Sequence, residues 1–212
     1  MTIATWAQLK TAVADWSHRS DLTTVIIDCV ALCEARLNDM LLLKNMESDE
    51  SLTLTLNQNY VALPTGFISP IKFWLVIDSE RVELDPRLPQ ALPYYSDSAQ
   101  PRLWAIDAAN VRFDCPSDSA YSAKLRCIKA SNLSDSSTTN YLLTKRPDVY
   151  LAGTLVEVAR YTKDGEMFAM WEPKFLKACA EVKAAENRAR GNVPLTTNLP
   201  GTSRRASILR GD

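Results

Sequence analysis

Between Asp21 and Leu43 the apolar residues Leu22, Val25, Ile26, Cys29, Cys33, Leu37 and Met40 recur at steps of three and four. That spacing places them on one stripe of a helix. Ser20 or Asp21 supplies a side-chain oxygen to cap its first turn. At 1.5 Å per residue the helix spans roughly 33 Å, the width of a small domain. A stripe of that length must be covered by other elements, and the rest of the chain offers helices near both ends with a β region between them.

Residues 5–16 read as a first short helix, with Trp6, Leu9, Val13 and Trp16 on one face and a Thr5/Gln8 capping box at its start. After a turn at residues 17–21 the long helix follows and ends near Lys44 to Met46, and the two form an αα-hairpin. Glu47-Ser48-Asp49-Glu50 is an acidic step out of the helix. The period then changes to two. Strands are predicted at residues 51–56, 60–63, 71–77, 81–84, 103–106, 111–113 and 121–128. Pro86, Pro89 and Pro93 exclude a long helix or a central strand around them. Short strands at this spacing suggest a small antiparallel sandwich or open barrel.

Residues 131–140 form a polar loop. The helical period returns at Pro147, a residue suited to a first turn, with Val149, Ala152, Leu155, Val156 and Ala159 facing inward and Lys163-Asp164-Gly165 as the stop. Phe168, Trp171, Phe175, Cys179 and Val182 mark a last helix to about Arg190, in which Pro173 predicts a kink or break near residues 169–172. Residues 191–212 are rich in Gly, Pro, Thr, Asn, Ser and Arg and cannot pack on themselves, so the tail is expected to be disordered alone.

The fold class is therefore α+β. A helical bundle, made of an N-terminal helical hairpin and C-terminal helices, carries an inserted small antiparallel β-sandwich or barrel and ends in an extended tail. The expected division is 1–47 for the N-terminal helices, 48–131 for the β domain, 132–190 for the C-terminal helices and 191–212 for the tail.

Net charge over the 212 residues is −1, but it is unevenly spread. Five arginines and Asp212 give the segment from Arg188 onward +4, leaving −5 on residues 1–187. An acidic body with a basic tail points to a separate partner for the tail. Ile208 and Leu209, set between Arg204, Arg205 and Arg210, read as an anchor for another molecule. The tail arginines have three readings: a solvated end, contacts to phosphates, or an anchor in a groove of an acidic protein.

Signals for chemistry are sparse. The five cysteines (29, 33, 115, 127 and 179) include no CxxC pair and read as buried, reduced residues. The first residues lack a signal-peptide pattern, and no apolar run is long enough to cross a bilayer. The single histidine, His18, lies in an exposed turn without a triad partner. Glu47, Asp49 and Glu50 match no EF-hand spacing, and no phosphate-binding glycine pattern is present. Asn132-Leu133-Ser134 fits a glycosylation triplet and Arg204-Arg205-Ala206-Ser207 a basophilic kinase site, both by short matches. No catalytic, cofactor-binding or metal residue is assigned, and an enzyme is not expected.

Three groups of residues, in order, carry a resemblance. The first is Trp6-Ala7-Gln8-Leu9 to Val13-Ala14-Asp15-Trp16, with Arg19-Ser20-Asp21-Leu22 and Ala31-Leu32-Cys33-Glu34-Ala35-Arg36-Leu37-Asn38, against a pattern "ADWLxRxDL…LAEARIN". The second is Ala62-Leu63-Pro64-Thr65-Gly66-Phe67. The third runs from Asn140-Tyr141-Leu142-Leu143 through residues 147–159 to Lys163-Asp164-Gly165-Glu166 and Trp171. In this layout the chain resembles the bacteriophage head-to-tail adaptor (connector) proteins over nearly all of residues 5–190.

The resemblance implies a virion structural protein that forms a homo-oligomeric ring, a dodecamer, docked on the portal at the genome-exit vertex. The ring would extend the channel for DNA ejection, meet the passing DNA nonspecifically and offer a surface to a tail tube or nozzle protein. Helices would line the channel, the β region would face the periphery or the tail, and the tail residues Arg204, Arg205, Ile208, Leu209 and Arg210 would contact the portal. Assembly would take place in the host cytoplasm, with no membrane involved. The alternative is another tail-tube, nozzle or head-completion component. An enzyme would require a cleft with paired carboxylates of perturbed pKa, and a free DNA-binding module would require a basic folded surface.

Overall fold

A computed structural model describes residues 3–130 and 132–190. Helices α1 (Trp6–Ser17) and α2 (Thr23–Met40) come first. Eight strands follow: β1 (Glu47–Leu54), β2 (Tyr60–Ala62), β3 (Phe67–Ile77), β4 (Glu80–Glu83), β5 (Asp85–Pro86), β6 (Leu103–Asp107), β7 (Asn110–Phe113) and β8 (Tyr121–Lys129). Helices α3 (Tyr141–Lys145), α4 (Pro147–Thr162) and α5 (Gly165–Arg190) complete the fold. Single 3-10 turns occur at Lys44–Met46 and Pro89–Ala91.

The helices share one hydrophobic core, and α4 is its centre. Every residue from Val149 to Ala159 is buried, as expected of a helix enclosed on all sides. Both α1 and α2 lean more heavily on α4 than on each other, and α5 packs along it. On α2 the predicted stripe holds at Leu22, Ile26, Cys29, Cys33 and Leu37, joined by Val30, while Met40 is exposed. On α1 the inner face is Trp6, Leu9, Ala12 and Val13; Trp16 is 52% exposed and meets the Trp171 ring edge-on at 5.4 Å.

The close approach of three helices rests on Gly153. A Cβ there would collide with Cys33 Sγ of α2 and lie 2.7 Å from Cε2 of Phe175 of α5. The absent side chain is what lets both helices reach the α4 backbone.

The strands form a second core. One sheet has the order β1-β8-β3-β4 and the other β2-β7-β6-β5, antiparallel except for the two-residue β5–β6 pair. Leu54, Phe73, Leu75, Val111, Phe113 and Leu125 fill the space between them. Phe73 sits at the centre, 5.3 Å from Phe113 and 5.7 Å from Trp104, whose indole N–H donates to the Leu84 carbonyl at 3.0 Å. The β3–β4 hairpin turns on Asp78 and Ser79, both at positive φ, the backbone that matches strand twist in two-residue hairpins.

Several local expectations change. Helix α2 begins at Thr23 with no side-chain cap, because the Asp21 carboxylate is taken by Arg19 at 2.7 and 2.8 Å. It ends at Met40, four to six residues before the expected end at Lys44 to Met46; Leu41 and Leu43 point inward from extended backbone while Leu42 is exposed. In the capping box Thr5 accepts from the Gln8 N–H, but the Gln8 side chain reaches the Ala4 N–H instead of that of Thr5.

Glu47 to Glu50 are not a step between elements but the first half of β1. Arg126 of β8 pairs with Glu47 at 2.8 Å, and Lys129 with Glu50 at 2.9 Å. Strand β3 starts four residues early and accommodates Pro70 at a register shift, where a proline does not break the ladder. Helix α5 runs through Pro173 without a break.

Replacing Gly153 with alanine should lower the melting temperature, with a loss of roughly 1–3 kcal/mol from overpacking that outweighs the alanine's better helix propensity. A thermal melt at or above wild type would show that Cys33 and Phe175 can move aside.

Candidate functional site

The predicted portal-contact residues Arg204, Arg205, Ile208, Leu209 and Arg210 lie outside the described residues. What the structure shows is the helix that leads toward them. Helix α5 has 26 residues and is about 39 Å long. Its buried face ends at Val182. From Lys183 to Ala189 every residue is exposed except Glu186, whose carboxylate accepts the Lys44 backbone N–H at 2.7 Å. The Glu186 carboxylate thus ties the last two turns of α5 to the chain that follows α2.

The body behind that helix is locked by a charged clamp. Arg36 of α2 places one guanidinium nitrogen 2.8 Å from Glu157 of α4 and the other 2.9 Å from Glu172 of α5. Its plane lies over the Phe175 ring, 4.8 Å from the centroid. Arg160 adds a second contact to Glu157 at 3.3 Å. Glu157 is almost completely buried, and an unpaired charge there would be strongly unfavourable. The two ion pairs tie α2, α4 and α5 together at the level where Gly153 lets them meet.

A second polar centre ties the helices to the chain leaving the β region. Glu34 of α2 is buried, and its Oε1 accepts from the Leu133 N–H at 2.7 Å and from the Tyr150 hydroxyl at 3.1 Å. The Asn140 amide donates to the same hydroxyl at 2.6 Å, and the Asn140 carbonyl oxygen caps α3 at the Leu143 N–H. Burial pushes the Glu34 carboxyl above its ordinary value of 4.5, although both hydrogen bonds pull it down. Beside it lies an open hollow lined by Leu37, Leu41, Tyr141 and Leu142.

The β region displays exposed apolar side chains at Tyr60, Leu88, Tyr94 and Tyr95. The Tyr95 N–H donates to the Asp114 carbonyl at 2.8 Å, which holds the proline-containing loop against the sheet. Arg112, opposite Tyr60 in the ladder, pairs with Asp107 at 2.9 Å. Tyrosines at low conformational cost are common in protein interfaces.

Among the described residues no group of three or more His, Cys, Asp or Glu is placed to hold a metal ion, and no helix is long and apolar enough to cross a membrane. His18 closes α1 in left-handed backbone, φ 52°, its N–H donating to the Ala14 and Asp15 carbonyls. All five cysteines are buried and free. Burial pushes the Cys29 and Cys179 thiols up to about 11, so they stay protonated and act as packing groups.

The family model described as SU10 adaptor protein matches residues 4–198. No curated protein matches the chain.

Glu34 gives a signed pH dependence. Because its folded pKa is raised, the native state binds this proton more tightly than the unfolded chain. Its contribution to stability falls as pH rises above 4.5. In Glu34→Gln the amide oxygen can keep both bonds without the charge. Wild type should therefore gain stability relative to this variant as pH is lowered from neutral toward 4.5, read as a rise in the wild-type melting temperature minus that of the variant. An opposite slope would mean that the carboxylate form is the favoured one.

Proposed function

The chain belongs to the SU10 adaptor protein family, and from that premise we propose how this phage head-to-tail adaptor performs its role at the head–tail junction of the virion. Copies assemble into a ring of twelve in the host cytoplasm and dock on the portal. The helices extend the channel around passing DNA, which they meet nonspecifically, and the strands face a tail tube or nozzle protein. The division at residues 48 and 131 separates the helical wall from the β unit presented to the next component, and residues 191–212 form the arm that reaches the portal.

The observation that carries this reading is the extent of the family match. Residues 4–198 include both hydrophobic cores, so the family's role belongs to the whole body and not to one borrowed motif. The structure supplies supporting features. The Arg36 clamp makes a stiff three-helix body, and α5 carries the chain beyond it before the arm begins. In this proposal Arg204, Arg205 and Arg210 meet acidic groups on the portal while Ile208 and Leu209 enter an apolar site. Twelve weak arms on one ring raise the effective concentration of each, so the assembly holds although a single arm binds loosely. No described feature favours a different virion component over the adaptor.

Deleting residues 200–212 from the full chain should leave the melting temperature unchanged and abolish or strongly weaken docking to the portal, scored by electron microscopy of mixtures. Undiminished docking would remove the arm from the mechanism. Docking of the intact chain should also weaken as salt rises from about 0.05 to about 0.5 M, because the screening length falls from roughly 14 Å to roughly 4 Å over that range. Docking that ignores salt would place the affinity in Ile208 and Leu209 alone.

A further inference from the structure

Among the described residues, α2 and α5 present outward apolar faces that no other element covers. On α2 the face opposite the core carries Ile27, Ala31, Leu32 and Ala35, all exposed. On α5 the outward side carries Met170, Pro173, Leu176 and Ala180, also exposed. Each set follows helical spacing, and the small residues permit close approach of a second backbone.

The charges on the two faces differ in sign. The exposed charged residues of α2 are Asp28 and Asp39; its one cation, Arg36, is turned inward and held by Glu157 and Glu172. Helix α5 exposes Lys174, Lys177, Lys183 and Arg188 against two exposed acids, Glu166 in its first turn and Glu181, which is paired with Arg146, so its outward side is basic on balance. Asp28, Lys177 and Lys183 have no hydrogen-bond or ion-pair partner among the described residues.

We propose that the α2 face of one copy packs against the α5 face of the next. This inference rests on the ring reading above and names the surfaces that build it. The occupant follows from charge. Two α2 faces would set acid against acid, and two α5 faces would set base against base, so only the unlike pairing joins apolar stripes with attraction. Because the two faces belong to different helices of the same chain, the contact is head-to-tail. Repeated with a fixed rotation, such a contact closes into a ring, whereas a self-complementary contact stops at a dimer. The Arg36 clamp fixes the angle between the two faces, and that angle sets how many copies complete the circle.

The test uses three full-length variants, alone and with the phage's portal, scored by sedimentation and electron microscopy. Ala31→Arg puts a cation on the acidic face, and Ala180→Glu puts an acid on the basic one. Each should reduce self-association by about tenfold or more and remove rings, with melting temperatures unchanged because both positions are exposed. The double variant Ala31→Arg/Ala180→Glu restores unlike charges across the contact and should recover rings. If wild type forms rings and the single variants form them equally well, or the double variant stays as defective as the singles, the α2–α5 pairing is wrong while the ring stands. If wild type forms no ring alone or on the portal, the ring reading falls and this inference with it.

Discussion

The structure depends on α4 being enclosed on every side. Its enclosed stretch from Val149 to Ala159 must satisfy its polar groups internally, and it carries the carboxylate of Glu157. Arg36 answers that charge from α2 and continues to Glu172 on α5. One guanidinium thus neutralises a buried acid and fixes the relative placement of three helices. Gly153, one helical turn before Glu157, provides the steric counterpart by letting Cys33 and Phe175 meet above the α4 backbone. Charge pairing and the missing side chain act at neighbouring levels of the same helix. The placement of α2 against α4 and α5 is consequently set by contacts between residues more than a hundred positions apart.

Much of this architecture is legible from periodicity. The α2 stripe, the Pro147 start and the alternation in β3 and β8 each have a single physical interpretation. The misreadings occur where two explanations compete. Glu47 to Glu50 look like a solvated loop until Arg126 and Lys129 come to lie beside them on β8, a relation no local window contains. Asp21 has the chemistry of a helix cap, yet a two-nitrogen contact with Arg19 two residues away holds its carboxylate, keeping its pKa near 2. Leu41-Leu42-Leu43 can extend a helix or alternate as extended chain, and the inward Leu41 and Leu43 favour the second.

The functional elements divide in the same way. The ordered groups of residues resembling the adaptor family were readable from end to end, because they are distributed over the whole body. The tail arginines were readable as a change of composition. Arg36 and Glu157 were not singled out, although an acid inside a run as apolar as Val149 to Ala159 is a signal that some cation must be brought to it. The outward faces of α2 and α5 were hidden for a different reason. Alanine is equally at home in a core and on a surface, and only placement shows that Ala31, Ala35 and Ala180 face away from the protein.

The two strands that connect the helices to the β region are neighbours. β1 leaves the helices at Glu47, and β8 returns beside it, with Ile128 as the partner of Glu47. Departure and return lie across one antiparallel pair, roughly 5 Å apart between Cα atoms. In genetic terms the segment between them is a cassette. A strand region exchanged through recombination at those two points would have to offer one matching pair of strands to rejoin the chain. The fold thus confines the junction between its helical and its β parts to a single hydrogen-bonded ladder.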